Sequence, residues 1–262
     1  MSRPVALVTG ASSGIGEELA RALAEQGEDL LLVARTESEL ARVQGEIIAA
    51  TGRFVAILPL DLERADAAEM VQHALRAQEL TVRHLVNNAG FGLAGDMADM
   101  PAAGQLGMVD LNCRALLALT LAFLTEIREN DGGVLNVASV AGFTPGPGLA
   151  VYYASKAFVV SLTRALAFEE RESGIRVCAL CPGPVPTKFG ARAGFRRSVV
   201  TNLTRPLSAK EVAHIGLAGY FGRRTIVVPG LIPKLMVAVL SVLPVRIVLP
   251  VLARAQRQRR KG

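Results

Sequence analysis

The sequence predicts an α/β protein: a doubly wound parallel sheet of about seven strands with helices on both faces. Three observations carry that prediction. Short apolar runs alternate with segments of helical period through the first two thirds of the chain. A glycine-rich turn, Gly10-Ala11-Ser12-Ser13-Gly14-Ile15-Gly16, follows the first apolar run and opens a helix. Polar or glycine residues recur where the strands end, at Gly10, Arg35, Asp61, Asn88, Ser139 and Thr187. In open parallel sheets, ligands bind beyond the carboxyl ends of the strands.

The first strand is expected over residues 4–9, ending at Thr9. Leu19, Ala20, Leu23 and Ala24 then recur at helical spacing until Gly27. Strand, glycine turn and helix in that order suit a dinucleotide phosphate. Glycines allow close backbone approach, and the helix start offers free N–H groups at the positive end of its dipole. The spacing Gly-x-x-x-Gly-x-Gly departs from the more usual Gly-x-Gly-x-x-Gly, so an ordinary glycine turn is the plain alternative. A second strand over 29–34 ends at Arg35, where an adenosine ribose would lie. An acid there would bind a 2′-hydroxyl, whereas a cation suits a 2′-phosphate. Ala34-Arg35 contains no acid and favours NADP(H) over NAD(H), with a solvated helix-cap residue as the alternative.

Alternation continues with a helix over 37–50, a strand over 54–60, a helix over 65–78 and a strand over 84–87. Asp61 and Leu62 follow the third strand, where the Asp61 carboxylate could meet an adenine amino group. Asn87-Asn88-Ala89-Gly90 closes the fourth in a tight turn. Pro101 starts a long apolar helix to about residue 128, with Asp110, Asn112 and Cys113 in its middle. Asparagine is a poor interior helix residue, so Asn112 predicts a kink or a polar task there. A fifth strand over 134–138 ends at Ser139. The loop from Gly142 to Gly148 leads to a helix headed by Tyr152 and ending near Gly174. A sixth strand over 175–180 precedes Pro182-Gly183-Pro184-Val185-Pro186-Thr187.

In Tyr152-Tyr153-Ala154-Ser155-Lys156, a phenol and an ammonium stand four residues apart, hence on one helix face. An ammonium about 4 Å away favours a phenolate by up to roughly 4 kcal/mol at an effective dielectric near 20. That is enough to bring a phenol from near 10 to about 7, where proton transfer is most effective. Tyr153 lacks this spacing, so Tyr152 is the candidate acid or base. Alone, such a pair is also what an exposed helix face would show.

Composition excludes several other functions. At 262 residues, 51% hydrophobic, the chain can bury one large core. The net charge of +6 is concentrated in Arg254, Arg257, Arg259, Arg260 and Lys261, so the body is close to neutral and no nucleic-acid partner is expected. Three cysteines make no disulfide framework, and no signal-like segment precedes the first strand, so a cytoplasmic setting is expected. Cys178-x-x-Cys181 spans the end of an apolar strand, where residues three apart face opposite sides. It reads as structural, and no metal site is expected.

Taken together, Thr9-Gly10-x-x-x-Gly14-x-Gly16, Asn87-Asn88-Ala89-Gly90, Asn112, Ser139, Tyr152-x-x-x-Lys156 and Pro182-Gly183 resemble the classical short-chain dehydrogenase/reductase family over roughly residues 4–230. Val33-Ala34-Arg35, the 142–147 loop and Val228-Pro229-Gly230 look like an NADP-dependent bacterial reductase subgroup. The resemblance implies a Rossmann-like fold and a catalytic set of Asn112, Ser139, Tyr152 and Lys156. Tyr152 would be the general acid or base, and Lys156 would lower its pKa and hold the nicotinamide ribose. Ser139 would donate to the substrate carbonyl, and Asn112 would help hold a relay water. Cofactor contacts would come from Thr9, Gly10, Ser12, Ser13, Gly14, Ile15, Gly16, Arg35, Asp61, Leu62, Asn88, Ala89, Gly90, Tyr152, Lys156, Pro182, Gly183, Val185 and Thr187. Ser12 and Ser13 stand where some NADP-binding members carry a further basic residue. A homodimer or homotetramer is also implied.

The expected organisation is a catalytic domain over 1–230, a substrate lid over about 188–206, and an apolar then basic extension over 231–262. The lid carries Arg192, Arg196 and Arg197, which could meet an anionic substrate such as an acyl thioester or simply be solvated. Residues 231–252 are strongly apolar but interrupted by Lys234, Pro244, Arg246 and Pro250, and so do not read as a spanning helix. They are expected to pack on the domain, its substrate pocket or a partner subunit, or to make peripheral contact with an anionic membrane. The leading function is NADP(H)-dependent interconversion of an apolar ketone or aldehyde with its alcohol. The alternatives are a 3-oxoacyl-thioester reductase of lipid metabolism and a non-catalytic NADP(H)-sensing protein.

Overall fold

Seven parallel strands form one sheet in the order β3-β2-β1-β4-β5-β6-β7. They are β1 (Arg3–Thr9), β2 (Leu30–Ala34), β3 (Val55–Pro59), β4 (Leu80–Asn87), β5 (Gly133–Val137), β6 (Arg176–Leu180) and β7 (Ile226–Val227). The computed structural model describes residues 2–187, 206–246, 248–250 and 252–254. Strand β1 pairs with both β2 and β4, Val8 lying opposite Leu32 on one side and Val86 on the other. The strand order reverses at this point, which opens a crevice at the carboxyl ends of β1 and β4.

The inner strands are buried on both faces, which is why they read as near-continuous apolar runs. Their alternation feeds two cores. Ala6, Val8, Leu30 and Leu32 face α1 (Gly14–Glu25), α2 (Glu37–Thr51) and α7 (Ala209–Phe221), packing with Leu19, Leu23, Val43 and Leu217. Val5, Leu7, Leu31 and Val33 face α3 (Ala67–Ala77), α5 (Leu116–Glu129) and α6 (Ala150–Glu169), packing with Val71, Leu119, Phe123 and Leu166. Cys178 lies in the first core and Cys181 in a third, smaller one, both buried and unbridged, as period-two geometry requires.

The long apolar helix is three pieces: α4 (Ala102–Val109), a π-helical turn (Asp110–Ala115) and α5. Residues Ala102–Glu129 have the length and apolarity to cross a membrane. Their inward side is nevertheless protein core, through Met108, Leu119, Phe123 and Ile127. The kink expected at Asn112 falls within the π turn. Several boundaries move: β4 begins at Leu80 rather than residue 84, and α6 runs Ala150–Glu169 rather than from Tyr152 to Gly174. Helix α7 has no counterpart in the sequence reading. Its start is a capping box, Ser208 Oγ accepting from Glu211 N at 3.2 Å and Glu211 Oε2 from Ser208 N at 2.7 Å. Such a cap contributes about 1 kcal/mol. Helix α8 (Leu231–Val242) follows β7. Residues 188–205, with Arg192, Arg196 and Arg197, lie outside the described residues, so the anion-meeting lid does too.

Candidate active site

The turns after β1 and β4 are locked together by two side chains, Thr9 and Asn88. Thr9 Oγ1 donates to Val86 O at 3.2 Å and accepts from Asn88 N at 2.9 Å and Ala89 N at 3.0 Å. Asn88 Nδ2 returns bonds to Thr9 O at 3.0 Å and Gly10 O at 3.2 Å. Thr9 is buried and its hydroxyl is engaged three ways, so its side chain braces the turn rather than facing a ligand. Gly10 has φ +63°, and a Cβ there would stand 2.7 Å from Asn88 Nδ2. A Cβ on Gly16 would collide with Gly10 O, so helix α1 meets the turn closely enough to need glycine.

Ser13 stands at the N-cap of α1 without a side-chain cap hydrogen bond. In front of it opens a cavity of about 550 Å³ lined by Ser13, Gly14, Glu17, Arg42, Thr187 and Ala209, among others. Gly14, at φ +63°, faces Thr187, whose Cγ2 would lie 3.2 Å from an added Cβ. The Ser13 and Thr187 hydroxyls and the helix-start N–H groups beside Gly14 fit a pyrophosphate, and the Glu17 carboxylate in the same cavity is paired with Arg42. Ile15 and Val185 are half-buried and pack onto the adjoining core. Burial opposes ionisation of Glu17, but hydrogen bonds from Arg42 and Arg21 outweigh it and hold that carboxyl below its ordinary range.

At the carboxyl ends of β2 and β3, Arg35 Nη1 lies 3.5 Å from Glu63 Oε1, with the Arg35 side chain 60% exposed. Burial, and then the neighbouring Asp61 carboxylate, push the Glu63 carboxyl up against the pull of Arg35. Asp61 Oδ1 accepts from Glu63 N at 3.0 Å. Leu62 is buried in the second core, which leaves only its backbone for a ligand.

Ser139 follows β5 by two residues and caps the 3₁₀ turn Val140–Phe143. Its Oγ accepts from Ala141 N at 3.1 Å, donates to Pro182 O at 3.5 Å and shares a hydrogen bond with the Tyr152 phenol. Tyr152 is buried, and burial pushes its phenol up to about 12. The Ser139 bond pulls the other way, and Tyr153 adds to the rise. The depression expected from Lys156 is therefore reversed in this site. Removal from water disfavours a phenolate, and the Lys156 ammonium is directed elsewhere, Nζ donating to Val137 O at 2.8 Å. Burial also brings Lys156 down to about 8.

Asn112 supports this pair from the π turn. Its Nδ2 donates to Phe91 O at 2.9 Å and Ser155 Oγ at 3.0 Å, and its Oδ1 accepts from Phe91 N at 3.0 Å. A Cβ on Gly90 would sit 2.7 Å from Asn112 Oδ1 and 3.6 Å from Lys156 Nζ, so Gly90, Asn112 and Lys156 converge. Gly183 meets helix α8, Pro233 Cγ lying 3.2 Å from where its Cβ would be. The sequence reading missed three supporting groups: Ser155, the Phe91 backbone and the Val137 carbonyl. Only Ser155 left a signal, as a small polar residue one place before Lys156 on a helix.

A glycine turn that fits a pyrophosphate and a buried Ser-Tyr-Lys cluster, both beyond the carboxyl ends of the strands of one doubly wound sheet, are what a nucleotide-binding oxidoreductase of Rossmann-like fold requires. The profile of the short chain dehydrogenase family matches residues 4–196. Sulfoacetaldehyde reductase 2 of Chromohalobacter salexigens is 36% identical over 218 residues, covering 80% of this chain and 86% of that one. A short-chain dehydrogenase from Sphingobium yanoikuyae, solved in complex with NADPH, superposes with a TM-score of 0.78 at 31% identity, covering 92% of this chain and 96% of that chain. Another from Burkholderia phymatum, solved with NAD, gives 0.79 at 26% identity over 90% and 92%. The chain belongs to the short-chain dehydrogenase/reductase family, a family of oxidoreductases acting on CH–OH groups.

Proposed function

We propose that this protein is an NADP(H)-dependent reductase that interconverts a carbonyl compound and its alcohol. The observation that carries the reading is the hydrogen bond between Ser139 and the buried Tyr152 phenol, beside a buried Lys156. Bound at the glycine turn, a nicotinamide dinucleotide supplies the hydride acceptor or donor. The chain's own residues do the rest. A phenol held near 12 is protonated at neutral pH, so Tyr152 enters as a proton donor to the carbonyl oxygen. Ser139 Oγ orients and polarises that oxygen from the same side. Lys156, at about 8, stands close enough to neutrality to return a proton after turnover. Asn112 holds the Phe91 turn against Ser155 and so fixes the helix that carries both groups.

Arg35 is the feature that favours NADP(H), through a 2′-phosphate, and the NADPH-bound Sphingobium neighbour supports it. Gly10, Ser12, Ser13, Gly14, Ile15, Gly16, Asn88, Ala89, Gly90, Pro182, Gly183, Val185 and Thr187 complete the cofactor surface in this reading. Residues 1–230 form its catalytic domain and 231–262 an extension. A small apolar substrate, a cytoplasmic setting and a homo-oligomer belong to the same proposal; Leu121, Phe158 and Phe168 are exposed apolar side chains that a second copy would cover.

The test is a panel of aldehydes and ketones assayed by NADPH oxidation. Turnover of at least one, lost in Tyr152→Phe, supports the reading. NADPH binding without turnover of any carbonyl, and without oxidation of the matching alcohols, refutes it.

A further inference from the structure

Helix α8 is built the wrong way round for a helix that only covers a core. Pro233, Val237 and Leu240, spaced i, i+4 and i+7, form its half-buried inner stripe. The outward face should then be polar. Instead Leu231, Leu235, Val239 and Val242 are 72%, 57%, 53% and 84% exposed, with Ile232 and Met236 beside them. No residue of the helix is fully buried, and Lys234 is its only charged side chain.

The part of the chain that carries this face has charge of one sign. From residue 212 to the C-terminus there is no Asp or Glu. Lys234, Arg246 and Arg254 are exposed, and the sequence adds Arg257, Arg259, Arg260 and Lys261. An exposed apolar helix face in an acid-free, basic stretch of chain is complementary to an anionic lipid surface, where each Lys or Arg adds to the attraction. At 12 residues the helix is about 18 Å long, well short of a bilayer core of about 30 Å, so it would lie in the interface and not span it.

Position gives this face a use. Helix α8 packs on the 3₁₀ turn that follows Ser139, Val237 meeting the small core that holds Val140 and Phe143. Pro233 contacts the position of Gly183, next to the Pro182 carbonyl that accepts from Val140 N. Helix α8, whose outer face is exposed, therefore packs beside the turn and loop that border the Tyr152 site.

We propose that the outer face of α8 docks the protein on an anionic membrane and sets the mouth of the active site against the lipid, so that the substrate is an apolar carbonyl taken from the bilayer. The substrate half rests on the carbonyl-reductase reading above; the docking half does not.

The test uses the full chain and the triple variant Leu235→Ser/Met236→Ser/Val239→Ser, three exposed positions outside the catalytic and cofactor surfaces. Flotation is measured with phosphatidylcholine vesicles and with vesicles in which phosphatidylglycerol replaces part of the phosphatidylcholine. The parent should float with the anionic vesicles and be released by high salt, and the variant should partition at least about tenfold less while binding NADPH as tightly. No flotation of the parent, or equal flotation of the variant, overturns docking. So does a fall in native mass in the variant without any lipid binding by the parent, which would show that a second copy covers the face. A long-chain ketone carried in the vesicles should lose roughly tenfold in turnover in the variant while a short soluble ketone does not. Equal rates on both overturn the bilayer supply. A parent inactive on both ketones defeats the reductase reading and leaves the flotation result standing.

Discussion

Lys156 Nζ donates to the Val137 carbonyl across 2.8 Å, which ties the helix of Tyr152 to the carboxyl end of β5. The bond anchors the ammonium but does not replace its hydration, and burial draws it from 10.5 down to about 8. Below pH 8 the folded protein therefore holds a cation that is less comfortable than in the unfolded chain. Between about 8 and 10.5 the unfolded chain binds more protons than the folded one, so this group makes stability rise with pH across that window. At pH 7 its cost is roughly 3 kcal/mol. Lys156→Met should accordingly raise the melting temperature of the cofactor-free protein at pH 7 while lowering turnover. The gain should shrink by pH 10. A variant less stable than the parent at pH 7 would show that the Val137 bond outweighs the burial cost.

Tyr152 titrates in the opposite sense. Its phenol stays protonated up to about 12, whereas an exposed phenol ionises near 10. Stability should then fall as pH climbs beyond 10, and turnover of a carbonyl should not depend on a phenolate at neutral pH. Tyr152→Phe keeps the ring and removes the proton donor. We expect NADPH binding within a few-fold of the parent and turnover lower by roughly 10²–10⁴-fold, read by fluorescence titration and NADPH oxidation. Undiminished turnover would remove Tyr152 from the mechanism.

Arg35 faces Glu63 at 3.5 Å, so a 2′-phosphate would have to compete with a carboxylate already present. Glu63→Gln should release Arg35 and strengthen NADPH binding relative to NADH by roughly five- to tenfold. Arg35→Ala should erase most of the preference. Titrations with both cofactors check this, and equal affinities in the parent would dismiss Arg35 as the discriminating residue.

The sheet was legible because parallel strands buried on both faces leave long apolar runs, and because glycine and asparagine mark their carboxyl ends. The Tyr152–Lys156 spacing and the break at Asn112 were legible from residue type, whereas the grouping of Ser139 and Asn112 with that pair came from the family resemblance. Their electrostatics were not. Spacing places Lys156 one turn from Tyr152, but whether its ammonium points at the phenol or at Val137 depends on where β5 ends, and burial depends on the whole crevice. Glu63 carries no sequence signal for a similar reason, since its pairing with Arg35 joins the ends of two strands through the sheet and not through sequence. Helix α7 was hidden behind the Arg- and Thr-rich stretch before it, although Ser208 and Glu211 carry a capping signature at the right interval.

Asn112 offers the sharpest test of how the site is held. Its side chain makes three hydrogen bonds, two to the Phe91 backbone and one to Ser155, and it is 1% exposed. Asn112→Ala leaves the Phe91 amide and carbonyl and the Ser155 hydroxyl without that partner, and each buried polar group so stranded costs about 1–3 kcal/mol. A loss of roughly 2–4 kcal/mol after relaxation is expected in denaturant unfolding. Asn112→Asp separates structure from electrostatics. It keeps the acceptor for Phe91 N, withdraws both donated bonds and adds a carboxylate beside the cluster that Gly90 and Lys156 share. An opposite charge there should raise the Lys156 pKa from about 8. The basic limb of the pH–rate profile should then move to higher pH in Asn112→Asp but not in Asn112→Ala. Coincident profiles would mean that Asn112 acts only as a brace.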